Sequence, residues 1–253
     1  MRQSGVMRRA GGVAPIGVDA TGPARAPGGA VGRERRVSAP EGSERMRRLA
    51  NVAASIVGLV LFAVPMLVIA VLVKLTSRGP VFYTQERIGL DRRRRARPVA
   101  RDARQVDLGG KPFRLYKFRT MYVNADRSGQ VWATPDDPRV TPLGRVLRRC
   151  RLDELPQLIN VLKGDMNVVG PRPEQPRIFA ELSCRVARYV DRQRVLPGIT
   201  GLAQVSHHYD RTLDDVERKV SYDLEYLARR SVREDLRIMA RTVPVMLGRR
   251  GGW

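Results

Sequence analysis

The sequence predicts a mostly helical α+β protein that begins with an apolar helix. Residues 49–73 carry no charged side chain, and this length is close to what a helix needs to cross a hydrocarbon core. Two runs of β-forming residues, 81–83 and 113–118, predict a short pair of strands. Capping residues before apolar positions at helical spacing predict two final helices, after Thr212 and after Ser231. The apolar stripes of these two helices fit either the protein core or a membrane surface.

The composition limits the classes of chemistry. The 253 residues suffice for one domain with extensions, and a formal charge of +22 would ordinarily indicate a polyanionic partner. The basic excess is nearly all arginine, as a GC-rich coding bias would produce, so we predict no nucleic-acid partner. The cysteines and histidines have neither metal-ligand spacing nor a disulfide framework. We therefore expect chemistry based on carboxylates and arginines.

The N-terminal region divides into two segments. Residues 1–43 are poor in aliphatic side chains and predict a disordered basic tail, either inert or attracted to anionic lipid. Residues 44–75 form an apolar segment with Pro65 near its middle and cations at both ends. The positive-inside rule is satisfied best if both ends stay cytoplasmic. The residues leave two alternatives, a helix broken at Pro65 that returns to its own side and a spanning helix with a tolerated proline.

An acid pair at the start of a predicted helix is the best candidate for a reactive centre. Asp153 and Glu154 precede Pro156 and an apolar series that ends at Gly164. A helix N-terminus favours the ionised form of Asp153, which suits a nucleophile or a metal ligand. Glu154 points in another direction and suits a different task, such as proton transfer. The plain alternative is that both acids only cap the helix.

Arginines flank this acid pair in the sequence. Arg148 lies just over one turn before Asp153, where it is either a surface arginine in an arginine-rich chain or a group that binds a diphosphate with two parallel hydrogen bonds. Arg172 lies between two prolines that restrict the backbone, which favours ligand binding over a mobile surface charge. Lys117 and Arg119 lie around the predicted strands, where they either face a phosphate or form a solvated basic face.

Several motifs occur together and in order. They are GPVFYTQERIGL, DELPQL, NVLKGDM, VGPRP, PGITGLAQV and YDLEYLARRSVREDL. In this set the chain resembles the bacterial sugar transferase family, the monotopic polyprenyl-phosphate phosphoglycosyl transferases. The resemblance extends over about residues 45–245.

The resemblance implies a membrane enzyme with a re-entrant, Pro65-kinked helix and a cytoplasmic catalytic domain of residues 76–247 at the bacterial inner membrane. It implies transfer of a sugar 1-phosphate from a UDP-sugar to undecaprenyl phosphate, with Mg²⁺, at the start of a surface glycan. Asp153 would be the nucleophile and a metal ligand, and Glu154 would assist metal or proton handling. The implied phosphate- or substrate-binding residues are Arg148, Arg172, Lys117, Arg119, Gln157 and Gln204.

The chain departs from the family pattern in three places. Asn51 and Val64 stand where family members commonly have Asp and Ser, so Asn51 can form hydrogen bonds but no salt bridge to Arg48. Residues 91–109 lengthen a connection that is usually short, and we expect a flexible insertion. The rival interpretations are a non-catalytic membrane adaptor that kept the fold and, from net charge alone, a nucleic-acid-binding protein. The sequence does not specify which sugar is transferred, which glycan is made or whether the protein forms a homo-oligomer.

Overall fold

The computed structural model describes residues 41–91, 110–123, 137–206 and 212–247. Residues 1–40, the insertion from 92 to 109 and the histidine pair lie outside this part, so the predictions about them are not addressed. The elements are α1 Glu41–Leu61, α2 Ala63–Thr76, β1 Phe82–Ile88, β2 Pro112–Phe118, α3 Pro142–Arg149, α4 Gln157–Lys163, β3 Asn167–Val169, α5 Pro176–Arg185, β4 Gly198–Thr200, α6 Leu202–Ser206, α7 Leu213–Arg229 and α8 Val232–Leu247. The predicted mostly helical α+β class is confirmed.

The apolar N-terminal segment consists of two helices, α1 and α2, with a bend of 61° between them. Pro65 has no N–H to donate, and its ring collides with the carbonyl four residues earlier, which belongs to Leu61. The break therefore falls at Phe62, and Pro65 lies in the first turn of α2, where no N–H is needed. Within the described residues, no single helix is long and apolar enough to cross a membrane, whereas the bent pair meets that test by length and composition.

One face of α2 is part of the protein core. Ile69 and Val73 are buried against Phe118 of β2 and Leu147 of α3. The remaining surface of the bent pair carries large apolar side chains that are exposed, among them Val57, Val60, Leu61, Val64, Leu67, Val68, Val71 and Leu75. The pair thus joins the core on one side and presents an apolar surface on the other.

Polar contacts attach α1 to the elements that follow the acid pair. The Arg48 guanidinium donates to the Val161 and Leu162 carbonyls at 2.7 and 3.0 Å and so caps the C-terminus of α4. Asn51 accepts from the Val168 amide at 2.6 Å and donates to the Arg47 carbonyl at 2.7 Å. The prediction that Asn51 keeps a hydrogen-bonding role is confirmed, and Arg48 takes backbone carbonyls as its partners.

Two small sheets organise the rest. Strands β1 and β2 pair antiparallel, with Phe82 opposite Phe118, which confirms the predicted strand pair. Strands β3 and β4 pair in parallel, and α5 with a 3-10 segment, Tyr189–Arg194, connects them. The prediction of a cap at Thr212 is confirmed by a capping box. The α7 residues Val216 and Val220 are buried beside β1 and α5, so this stripe belongs to the core.

A buried ionic cluster fastens α1 to α7 and α8. Arg47 is 2% exposed, and its Nε donates to the Asp235 carboxylate at 3.1 Å. Its Nη2 donates to the Tyr226 hydroxyl at 2.6 Å, and that hydroxyl donates to Asp235 Oδ1 at 2.7 Å. Every member of this cluster has a partner of complementary charge or polarity, which is what makes buried charge tolerable.

Candidate active site

The acid pair lies in a 3-10 turn between α3 and α4. Arg151 precedes the turn with a φ of 54°, a left-handed conformation that is uncommon for residues other than glycine. The turn spans Leu152–Glu154, and α4 begins only at Gln157, after Pro156. The sequence predicts that a helix starts at the two acids, whereas the structure has a 3-10 turn there and starts the α-helix after it. The predicted end is confirmed, because Gly164 terminates α4 with a φ of 84°.

Two cations from distant segments meet on Glu154. Lys117 Nζ of β2 and Arg172 Nη2 of the loop after β3 each donate to Glu154 Oε1 at 2.8 Å. Lys117 Nζ also lies 3.8 Å from Asp153 Oδ2. Both carboxylates are buried, at 6% and 7% exposure, whereas the Arg172 side chain is 33% exposed. The two carboxylates therefore line the buried side of the site, and Arg172 reaches its open side.

The two carboxyl groups titrate differently. Burial raises the pKa of Asp153, and the nearby Lys117 offsets only part of that effect. Burial would also raise the pKa of Glu154, but Arg172 and Lys117 together hold this pKa well below its ordinary value. The helix N-terminus that was expected to favour ionised Asp153 begins only at Gln157, and at Asp153 burial acts in the opposite direction on the pKa. The low pKa of Glu154 makes it a weak proton acceptor, which favours a role in holding the two cations.

Arg148 contributes a third cation. Its Nε donates to the Thr120 hydroxyl at 2.9 Å, and its charge acts to lower the pKa of Asp153. Helix α3 begins after Thr141, whose hydroxyl accepts from the Gly144 amide at 2.9 Å. The structure thus brings together Asp153, Glu154, Lys117, Arg148 and Arg172.

The other predicted site residues have different surroundings. Arg119 is 6% exposed, and its Nη2 donates to the Ser77 carbonyl at 2.6 Å, just beyond α2. Gln204 Nε2 donates to the Ile199 carbonyl at 3.0 Å. Gln157 is 2% exposed in the first turn of α4. The phosphate contact of Arg119 stays a prediction, because Nη2 bonds the carbonyls at the end of α2 while its buried Nε and Nη1 have no hydrogen-bond partner among the described residues.

The acid pair fits a magnesium ion only together with a substrate. In the described segments, no group of three or more His, Cys, Asp or Glu side chains could hold a metal ion. Mg²⁺ is usually held by one or two carboxylates plus substrate phosphates, so it does not require such a group. The nearest cation to Asp153, Lys117 Nζ, is 3.8 Å away and leaves its oxygens available. Asp153 is therefore the better metal ligand of the two acids.

A second charged layer lies under the loop that carries Arg172. Its members are Arg87, Glu174, Arg192, Lys219 and Asp223. None of the five was identified as a site residue from the sequence, because their partners are far apart in the chain. Arg192, for example, pairs with Asp223 at 2.6 Å across 31 positions. A single arginine in an arginine-rich chain offers no local signal that could have identified it.

Comparisons with known proteins show which family this chain resembles. The family model for bacterial sugar transferases matches residues 42–249. A UDP-N-acetylgalactosamine-undecaprenyl-phosphate N-acetylgalactosaminephosphotransferase from Aeromonas hydrophila is 38% identical over 202 residues, 80% of this chain and 44% of that protein. A UDP-glucose:undecaprenyl-phosphate glucose-1-phosphate transferase from Caulobacter vibrioides is 37% identical over 203 residues, 79% of this chain and 69% of that protein.

An Escherichia coli protein with the same printed name as the Caulobacter one is 38% identical over 200 residues, 78% of this chain. The chain spans 39% of that protein and less than half of the Aeromonas one, so these two relatives are considerably longer. The matched region includes the acid pair, the three cations and both apolar helices. The chain belongs to the bacterial sugar transferase family.

Proposed function

We propose that this protein transfers a sugar 1-phosphate from a UDP-sugar to undecaprenyl phosphate and releases UMP. The observation that carries the proposal is the buried acid pair Asp153 and Glu154 with cations from distant segments beside it. Lys117 and Arg172 both bond Glu154, whereas Asp153 keeps its oxygens available, so the two acids have separate surroundings that suit separate roles. The relatives' names, which all specify undecaprenyl phosphate, support this acceptor.

Asp153 is the nucleophile in the proposed mechanism. An ionised Asp153 oxygen attacks the phosphorus that carries the sugar, the bond from this phosphorus to the bridging oxygen breaks, and UMP leaves. A phosphate oxygen of the polyprenyl phosphate then attacks the same phosphorus and releases the Asp153 carboxylate. A raised pKa suits this role, because a carboxylate that burial leaves poorly solvated is more basic.

The surrounding cations lower the cost of bringing an anionic nucleophile to a diphosphate. Lys117 lies between the two acids, while Arg172 approaches from the open side of the site. Glu154 holds both of them with its ionised carboxylate rather than moving a proton. Phosphoryl transfer depends mainly on such positioning and charge neutralisation. Mg²⁺, held by Asp153 and substrate phosphates, would supply further neutralisation of phosphate charge.

The bent helices α1 and α2 support a re-entrant membrane segment. Their break at Phe62 and their exposed apolar surface fit a hairpin that enters the bilayer and returns to the same side. Both chain ends then lie on the cytoplasmic face of the bacterial inner membrane, where UDP-sugars are made. The site would stand close to the headgroups, within reach of a lipid phosphate. The product would begin a surface glycan.

The relatives differ in their sugar, since their names specify N-acetylgalactosamine and glucose. The test therefore uses a panel of UDP-sugars with the purified full chain and Mg²⁺. Without polyprenyl phosphate, we expect about one equivalent of UMP and a protein mass increase of one sugar phosphate. With the lipid, turnover should continue.

Asp153→Asn is the matched variant for this test, because the amide is nearly isosteric. It should give neither UMP nor adduct, with a rate loss of about 10⁴-fold or more. Lipid-linked product without any adduct would refute the covalent step alone. A folded wild type that makes no product from any UDP-sugar would refute the transferase function and favour the adaptor.

A further inference from the structure

The loop that carries Arg172 has an unusually constrained backbone. Four consecutive carbonyl oxygens, at positions 171–174, each accept a hydrogen bond from another part of the fold. The donors, in order, are the Gly198 amide at 2.9 Å, Arg192 Nη2 at 3.1 Å, Arg87 Nη1 at 3.0 Å and the Ile88 amide at 2.9 Å. Two of these donors are guanidinium groups, so charged side chains fix the loop backbone at two positions where main-chain amides would usually donate.

Arg192 is the more deeply buried of the two guanidinium groups. It is 1% exposed, and its Nε donates to the Asp223 carboxylate at 2.6 Å. The guanidinium also lies over the Tyr189 ring, 4.9 Å from its centroid. These contacts fix the plane of the guanidinium, so its Nη2 can meet the Arg172 carbonyl in only one place.

Glu174 balances the charge on the inner side of the loop. Its Oε1 accepts from Lys219 Nζ at 2.8 Å, and Arg87 and Arg192 each lie 3.9 Å from its carboxylate. Burial would raise the pKa of Glu174, but the three cations lower this pKa to about 2. Glu174 is therefore ionised at neutral pH and keeps both arginines in place beneath the loop.

We propose that Arg192 is a positioning residue that acts through Arg172, by holding the Arg172 carbonyl so that the side chain points at Glu154 and the donor phosphate. This inference rests on the proposed transfer of a sugar 1-phosphate. The planar fork of arginine can bind Asp223 with one nitrogen and the loop carbonyl with another. A lysine has a single donor centre and cannot span both partners. Arg192→Lys therefore keeps the buried charge but removes the positioning.

The test is a double-mutant cycle on UMP release. Arg192→Lys should lower kcat/KM for the UDP-sugar by about ten- to a hundredfold, the size expected for a small displacement of a positioning group. In an Arg172→Ala background the same substitution should change kcat/KM by less than about threefold, since its target is gone. An equal fold-change in both backgrounds would show that Arg192 only supports the fold and would overturn the proposal.

Arg47→Lys is the matched control. Arg47 is an equally buried arginine on an aspartate, in the cluster with Asp235, and it makes no hydrogen bond to the loop 170–174. The Arg47→Lys variant should lose about as much thermal stability as Arg192→Lys. Its effect on kcat/KM should be the same whether residue 172 is Arg or Ala.

Amide hydrogen exchange gives a readout that needs no activity. The amides of Gly198 and Ile88, which donate to the loop carbonyls at positions 171 and 174, should exchange about tenfold faster in Arg192→Lys than in wild type or Arg47→Lys. Unchanged exchange would overturn the positioning role even if the wild type were inactive. A wild type that is inactive with every UDP-sugar, together with faster exchange in Arg192→Lys, would overturn only the proposed function.

Discussion

Replacing Glu154 by Gln separates the roles of the two acids. The amide is nearly the same size, but it removes the negative charge on which Lys117 and Arg172 converge at 2.8 Å each. Hydrogen bonds between two charged partners are stronger than those with one neutral partner by about 1–1.5 kcal/mol each. Two such bonds give a loss of about 2–3 kcal/mol, and tenfold in rate corresponds to about 1.4 kcal/mol. We therefore expect kcat/KM to fall about 30- to 150-fold.

The variant should also shift the pH dependence of the rate. The negative charge of Glu154 helps to raise the pKa of Asp153, while Lys117 and Arg172 lower it. Removing Glu154 therefore lowers the pKa of Asp153, and the acid limb of kcat/KM should move to lower pH. If Glu154 were a general base, its loss would remove a limb of the profile rather than move it.

The stability of the variant should depend on pH as well. The folded pKa of Glu154 lies well below its unfolded value of about 4.3, so its stabilisation is fully present above that pH. This stabilisation is lost as the pH falls through the folded pKa. Thermal unfolding of wild type and Glu154→Gln should therefore differ at pH 7 and converge in acid.

Rate profiles from about pH 5 to 9, adduct mass and thermal unfolding are the measurements. Glu154→Gln should still form the Asp153 adduct, more slowly, whereas Asp153→Asn should not. If the adduct were lost completely in Glu154→Gln but retained in Asp153→Asn, Glu154 would be the nucleophile and Asp153 the supporting acid. An acid limb that stays in place or moves to higher pH would refute the electrostatic coupling of the pair.

Three further predictions concern the rest of the chain. Pro65→Ala should allow α1 and α2 to straighten, so that part of the population spans the membrane. An impermeant thiol reagent applied from outside should then label a cysteine placed near one end of the segment in these molecules. The same cysteine should stay unlabelled when Pro65 is present. Asn51→Leu should leave the half-buried Val168 amide without its acceptor and lower the free energy of unfolding by about 1–2 kcal/mol in chemical denaturation. Deleting residues 1–40, or replacing 92–108 by a short Gly-containing turn, should leave turnover within several-fold, and a loss as large as that of Asp153→Asn would assign these segments a substrate role.

Much of the fold could be predicted because its signals are local. The strand pair, the cap at Thr212 and the stop at Gly164 each depend on residues within a few positions of one another. The motif around the acid pair also located the turn in which the two buried carboxylates meet their cations. The break in the apolar segment lies at Phe62, three residues before the predicted position at Pro65. The reason is that the ring of Pro65 collides with the carbonyl of Leu61, four positions earlier.

The electrostatics of the site could not be predicted in this way. The pKa order of Asp153 and Glu154 depends on burial and on Lys117, which is 37 positions from Glu154. The contacts of Arg119 likewise depend on the end of α2, 42 positions away. Distances of this kind are set by tertiary packing, and neither composition nor spacing records them.

The apolar helices cannot be cut away as a detachable anchor. Ile69 and Val73 complete a core with Phe118, and Arg48 holds the last carbonyls of α4. A water-soluble fragment that starts after Thr76 would open that core and leave α4 without its cap, one short helix away from the acid pair. The fall in hydropathy after α2 therefore does not mark an end to packing contacts, and we expect the catalytic part to be most stable when both helices are kept.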